Sequence, residues 1–155
     1  MIAEINKQAR LSEHFTLAEM CKTSVKTADG NIPSHVHIEN LKRVCEWLER
    51  LRDEWNRRYG EGNDPIIINS GYRSPQVNKA VGGAANSNHL TGCAVDIHVS
   101  GMEQLIRYAA ILLDISDERQ EDFDELLIEK SAKSIWVHFA VRPEGNRMKI
   151  RFIQT

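Results

Sequence analysis

Residues 66–99 read IIINSGYRSPQVNKAVGGAANSNHLTGCAVDIHV, and the rest of the chain can be ordered around them. At the end of the stretch Val95, Ile97 and Val99 alternate with Asp96 and His98. That is the period of a half-buried strand, and it sets Asp96 and His98 on the face opposite the valines and isoleucine. At its start Pro65-Ile66-Ile67-Ile68-Asn69 reads as a short buried strand. Between the two, Pro75 to about Val81 can form one or two helical turns, and Gly82-Gly83-Ala84-Ala85-Asn86 is a flexible link.

His89 and Asp96 stand seven positions apart with Gly92 between them. Two metal ligands on one helical turn would be three or four residues apart, so this gap puts His89 on a loop and Asp96 on the strand entered after it. A catalytic Zn²⁺ takes three protein ligands from His, Asp, Glu and Cys and leaves a fourth position for the water it activates. The candidate third ligand is His138, set among apolar neighbours in Ile135-Trp136-Val137-His138-Phe139-Ala140-Val141. From the residues alone a second reading stays open, because a lone histidine in an apolar strand also suits a hydrogen-bonded core residue.

Outward from this stretch the elements follow from periodicity and punctuation. Thr16-Leu17-Ala18-Glu19 is a capping box opening a short helix through about Cys21, and residues 1–10 read as irregular. Lys22 to Ser34 is a loop. From Val36 to Tyr59 the apolar residues Ile38, Leu41, Val44, Cys45, Leu48, Leu51 and Trp55 recur at helical spacing, with charged residues on the other face. Ser100-Gly101-Met102-Glu103 predicts a second capping box, opening a helix with a Met102, Leu105, Ile106, Ala109, Leu112, Leu113 stripe, and Ser116 to Asp122 reads as a loop. Phe123 to Glu129 and Trp136 to Val141, joined by the residues from Lys130 to Ser134, give a hairpin signal. Pro143 to Asn146 is a turn before a last strand, Met148 to Ile153. The sum is an α+β domain over residues 1–155, a small, mainly antiparallel sheet with helices packed to one side.

At 155 residues the chain has the length of one domain, with 41% hydrophobic and 27% charged residues. It has no apolar run of transmembrane length, and a net charge of −2 argues against nucleic-acid or anionic-membrane partners. Cys21, Cys45 and Cys93 fit buried thiols better than a disulfide framework. MIAEINKQARLSEHF lacks the basic start and apolar core of a secretion signal, so synthesis in the cytoplasm is expected. A serine or cysteine nucleophile finds no support, since there is no G-x-S-x-G and no cysteine with an evident histidine partner.

Ser70-Gly71-Tyr72-Arg73-Ser74-Pro75, Asn78, Val81-Gly82-Gly83, then Ser87-x-His89-x-x-Gly92-x-Ala94-x-Asp96 and Trp136-Val137-His138 resemble the signature blocks of one family, in order and spacing. It is the family of zinc D-Ala-D-Ala carboxypeptidases and L-Ala-D-Glu endopeptidases that cut bacterial peptidoglycan peptides. Leu11-Ser12-x-x-Phe15-Thr16-Leu17-x-Glu19 resembles the entry of its short phage- or prophage-type branch. The resemblance implies a fold shared with hedgehog signalling domains and D-Ala-D-Ala peptidases, zinc as cofactor, peptidoglycan peptides as partner, a monomer, and action on the wall after phage-type release. It implies His89, Asp96 and His138 as the metal set.

Many relatives carry the proton-transferring carboxylate three residues before the last histidine, where this chain has Ile135. The expected general base is therefore Glu129, at the end of the strand that a hairpin would lay beside His138, with His98 as runner-up. Arg73 is expected to stabilise the developing oxyanion or grip a substrate carboxylate. Ser87 is expected to orient its loop or touch substrate, and the loops 22–34 and 116–122 to wall the pocket. Because of Ile135, a non-catalytic zinc module with the same fold is the alternative.

Overall fold

The computed structural model describes residues 6–155. Residues 1–5, part of the segment expected to be irregular and of the segment read for a secretion signal, lie outside the described ones; beyond them Arg10 forms an isolated bridge with Thr16. Thr16 caps α1 (Leu17–Met20) with both bonds of the capping box in place. Ser34 caps α2 (His35–Arg58), and His37 takes the place of the usual Glu or Gln in its box. The apolar stripe of α2 faces inward: Leu41, Val44, Cys45, Leu48 and Leu51 are fully buried. Glu49 departs from the solvated face expected of its charged neighbours. It accepts bonds from Ser12 Oγ at 2.5 Å and the His14 amide at 2.7 Å, tying the N-terminal segment to α2.

After α2 come β1 (Ile68–Ser70), α3 (Pro75–Ala80), a 3₁₀ turn (Asn88–Thr91), β2 (Ala94–His98), α4 (Met102–Arg119), β3 (Glu125–Lys130), β4 (Ile135–Ala140) and β5 (Lys149–Gln154). The five strands form one sheet in the order β1-β2-β4-β3-β5. All pairs are antiparallel except β3 with β5. The turn at Pro143 to Asn146 therefore does not return β5 to β4 as a hairpin; β5 crosses to the outer edge of β3 and runs parallel to it. Two other differences concern α4. Its N-cap is Gly101, with no side-chain cap, and Gln104 Oε1 reaches back to the Ser100 amide at 2.8 Å in place of the predicted box. The helix also continues through Ser116, whose hydroxyl donates to the Glu121 carbonyl at 2.6 Å, so the expected loop begins only after Arg119.

Alternation divides the sheet into two faces. Val95, Ile97, Leu126, Val137 and Phe139 join Leu41, Leu48, Leu105 and Leu112 of α2 and α4 in one core, with Trp47 against Phe139 at 5.2 Å and Phe123 at 6.4 Å between ring centres. The opposite face carries Asp96, Glu125, Leu127, Glu129, Trp136 and His138, which line a cleft. The apolar half of each strand thus anchors the polar half at known register. No described helix is long and apolar enough to cross a membrane.

Candidate metal centre

The register places the site. Asp96 pairs with His138 across β2 and β4, and His138 pairs with Leu127 across β4 and β3, so Glu125 and Glu129 flank the histidine from either side. His89 arrives from the 3₁₀ turn, whose N-cap Ser87 accepts from the His89 amide at 3.1 Å. Asp96 Oδ1 stands 3.2 Å from His89 Nε2 and 3.1 Å from His138 Nδ1. All three side chains are buried, and one ligand atom of each lies within 4.8 Å of the others.

A glycine is needed at position 92, between His89 on the 3₁₀ turn and Asp96 on β2. Its φ of +76° ends the 3₁₀ turn in the left-handed region, and a Cβ there would sit 2.5 Å from the His37 carbonyl oxygen of α2. Gly92→Ala carries the left-handed cost of about 1–2 kcal/mol and, on top of it, the clash with backbone. We expect it to lower the unfolding free energy by at least about 2 kcal/mol in denaturant titration; a loss below about 0.5 kcal/mol would show that α2 yields to the methyl group.

The SGYRS block braces His89. His89 Nδ1 lies 2.6 Å from the Gly71 carbonyl, which can only accept, so Nδ1 carries a hydrogen and Nε2 is the nitrogen left to face Asp96 and the cluster. Gly71 has no room for a side chain because the Met20 carbonyl passes against its Cα; the Tyr72 amide donates to that carbonyl at 2.7 Å. The Arg73 amide donates to the His89 carbonyl at 3.0 Å. Arg73 Nη2 donates to Asp96 Oδ2 at 2.9 Å and its Nε to Ser70 Oγ at 3.0 Å, which leaves N–H groups of the fork for a ligand. The loop 22–34 does not wall the cleft; its buried Asn31 accepts from the Ser74 amide at 2.7 Å and donates to the Cys21 carbonyl at 2.9 Å, propping the SGYRS turn from behind.

Electrostatics separate the acids. Burial raises the pKa of Asp96, but His89 and His138 outweigh it and hold the carboxyl well below the usual range. Burial would lower that of His138, yet its bonds to Asp96 and Glu125 carry it up to about 9. Glu125 is held down by its bond to His138. Glu129 goes the other way: burial first, then the Asp96 charge, push its pKa above the ordinary value. Its Oε2 accepts from Trp136 Nε1 at 2.9 Å and lies 4.0 Å from His138 Nδ1.

Two imidazoles and a carboxylate whose donor atoms lie this close together could hold a metal ion, and they are of the ligand types that zinc takes. The same lone pairs that share protons here accept a metal once deprotonated. Around them opens a cleft of about 380 Å³, lined also by Gly82, Gly83, Ala84 and Asn86 and by Lys149 and Ile153 of β5. The expected loop 116–122 is not part of it. His98 is exposed and lines a separate hollow with Asp64 and Tyr108. Alternation predicts a face but not reach, and two residues along a strand carry His98 roughly 7 Å past Asp96. The three cysteines are free and buried; burial pushes the thiols up, Cys45 to about 12 and Cys21 to about 11, which suits packing and not nucleophilic chemistry.

Three participants escaped the sequence reading. Glu125 shares the parity of Glu129 on β3 and was legible as facing the same way, but its contact with His138 Nε2 at 3.1 Å is made by the fold. Asn88, beside His89, donates to Glu125 Oε1 at 2.6 Å and to Asp124 Oδ2 at 2.7 Å. Trp136 was read as part of a motif, and its cross-strand register to Glu129 gives it a partner.

Comparison with known proteins agrees with this geometry. Over 84 residues the chain is 31% identical to the zinc D-Ala-D-Ala carboxypeptidase of Streptomyces albus G, an alignment covering 54% of this chain and 31% of that relative. The aligned part is thus less than a third of the relative's length. Residues 13–138, from the N-terminal segment tied to α2 through to the last histidine of the cluster, match Peptidase M15. The chain belongs to the peptidase M15 family.

Proposed function

We propose that this protein is a zinc metallopeptidase that hydrolyses an amide bond in the peptide part of bacterial peptidoglycan, as an L-Ala-D-Glu endopeptidase or a D-Ala-D-Ala carboxypeptidase. The observation that carries this reading is the convergence of His89, Asp96 and His138 in an open cleft, with Glu129 4.0 Å from His138 Nδ1 and its pKa raised. His89, Asp96 and His138 would hold the zinc, which supplies Lewis acidity toward the amide carbonyl and lowers the pKa of the attacking water.

The chain's own residues do the rest. Glu129 takes a proton from the attacking water and delivers it to the leaving nitrogen, a task that favours a carboxylate with a pKa drawn toward neutrality. Trp136 holds one Glu129 oxygen and leaves the other for that proton. Arg73 keeps Asp96 oriented through Oδ2 and offers its remaining N–H groups to the carbonyl oxygen as charge develops. Ser87 fixes the turn that bears His89 and presents it at the cleft wall.

Ile135, where many relatives have an acid, favours a second reading, a zinc module without turnover. One experiment separates the two: mass spectrometry of purified peptidoglycan after incubation with the zinc-loaded protein, with and without a chelator. Release of peptides beginning at D-Glu, or loss of a terminal D-Ala, in either case stopped by the chelator, is the expected result. No metal-dependent product from several wall types would overturn the peptidase reading in favour of the silent module.

A further inference from the structure

We infer that Glu125 is the positioning residue that decides which nitrogen of His138 faces the metal. The inference rests on His89, Asp96 and His138 being the metal ligands. An imidazole on a strand can present either nitrogen by rotating about its last torsion, and strand register alone does not choose. Here Nδ1 points to Asp96 Oδ1 at 3.1 Å and Nε2 to Glu125 Oε1 at 3.1 Å. Both carboxylates only accept, but Asp96 belongs to the metal set and Glu125 does not. Once a metal would engage Asp96 and displace the proton on Nδ1, Glu125 keeps the remaining hydrogen of His138 on Nε2 and leaves the Nδ1 lone pair facing the cluster. Without Glu125, nothing on that side of the ring distinguishes the two orientations.

Glu125 is itself anchored. Asn88 Nδ2 donates to its Oε1 at 2.6 Å, and Arg147 Nη2 stands 3.8 Å from Oε2. Asn88 and Arg147 are in turn held by Asp124, which is fully buried: Asn88 Nδ2 donates to its Oδ2 at 2.7 Å, and Arg147 donates through Nε at 3.0 Å and Nη2 at 2.8 Å. Asn88 precedes His89, so one anchor sets the His138 ring from the turn that carries the other imidazole. Arg147 reaches this point because β5 crosses to lie parallel beside β3, with Glu125 opposite Lys149. The parallel placement of β5 beside β3 therefore serves the metal centre. Glu129 contrasts with it: its hydrogen bond comes from Trp136, and among the described residues no arginine or lysine pairs with it, as suits a group that must move a proton.

The test measures zinc affinity by competition with a chromophoric chelator, together with long-range ¹H–¹⁵N correlation of the His138 ring in the zinc-loaded protein. The wild type is expected to show a metal-bearing Nδ1 and a protonated Nε2. Glu125→Ala should weaken zinc binding by about 10–100-fold, the range typical of lost outer partners, and populate both ring orientations. Glu125→Gln, whose amide oxygen still accepts, should retain most of the affinity and the single orientation. A role confined to folding would lower the melting temperature without changing the ring nitrogen that binds. A wild-type ring bound through Nε2 would overturn the inference even if Glu125→Ala did not fold, as would a Glu125→Ala affinity within twofold of wild type. A wild type that takes up no zinc at all would instead overturn the metal reading on which both proposals stand.

Discussion

Glu129→Gln is expected to lower kcat on peptidoglycan by about 10²–10⁴-fold, the usual contribution of a positioned general base, while zinc content and fold stay unchanged. Glutamine is nearly isosteric and keeps an acceptor for Trp136 Nε1, now 2.9 Å from Glu129 Oε2, so β3 and β4 lose nothing in packing. Glu129 is not a ligand in the convergent set, so the metal should remain. What disappears is the capacity to take up a proton. The pH profile gives a second readout. Glu129 must be ionised to act as base, and its pKa lies above the ordinary carboxylate value, so wild-type kcat/KM should fall as pH drops through that raised pKa. Any residual activity of the glutamine variant should lack this acid limb. Hydrolysis rates within threefold of wild type, measured by the same release of peptides, would remove Glu129 from the reaction.

Asp96→Ala should have the largest combined effect on binding and stability. Asp96 Oδ1 meets both imidazoles and Oδ2 holds Arg73 at 2.9 Å. Removing it deletes one of the three proposed ligands, and zinc affinity should fall by more than the roughly 100-fold seen when only an outer partner is lost. It also leaves the largely buried Arg73 guanidinium without its carboxylate, and breaking such a pair costs about 3–5 kcal/mol in the metal-free protein. Metal analysis after dialysis and denaturant unfolding of the metal-free form check the two parts separately. Retention of one equivalent of zinc would show that another group completes the set. Unchanged stability would show that the contacts of Arg73 with Ser70 and Asn78 and with solvent suffice without the carboxylate.

The two changes act on different links of the same chain of causes. Glu129→Gln removes chemistry from an intact frame, whereas Asp96→Ala removes a charge that the frame is built around.

Periodicity along the chain carried the α+β class, the long amphipathic α2, and the parity of Asp96 on β2, because each depends on neighbours within a few residues. The seven-residue gap containing Gly92 put His89 on a loop and Asp96 on the strand after it, because a turn, a left-handed exit and a strand are local events, whereas their place in one metal set came from the resemblance to the family's S-x-H-x-x-G-x-A-x-D block. His138 could be named as a partner from its apolar strand, and the structure brings it to Asp96, but the pairing itself is a matter of sheet register across 42 residues. Only the fold decided that β5 lies parallel to β3, that Glu125 and Glu129 take opposite sides of one imidazole, and that the loops at 22–34 and 116–122 stand away from the cleft. Those outcomes arise from contacts between segments distant in sequence, where burial, crossover and register compete, and no local pattern encodes which of two equally polar strand positions will meet a histidine.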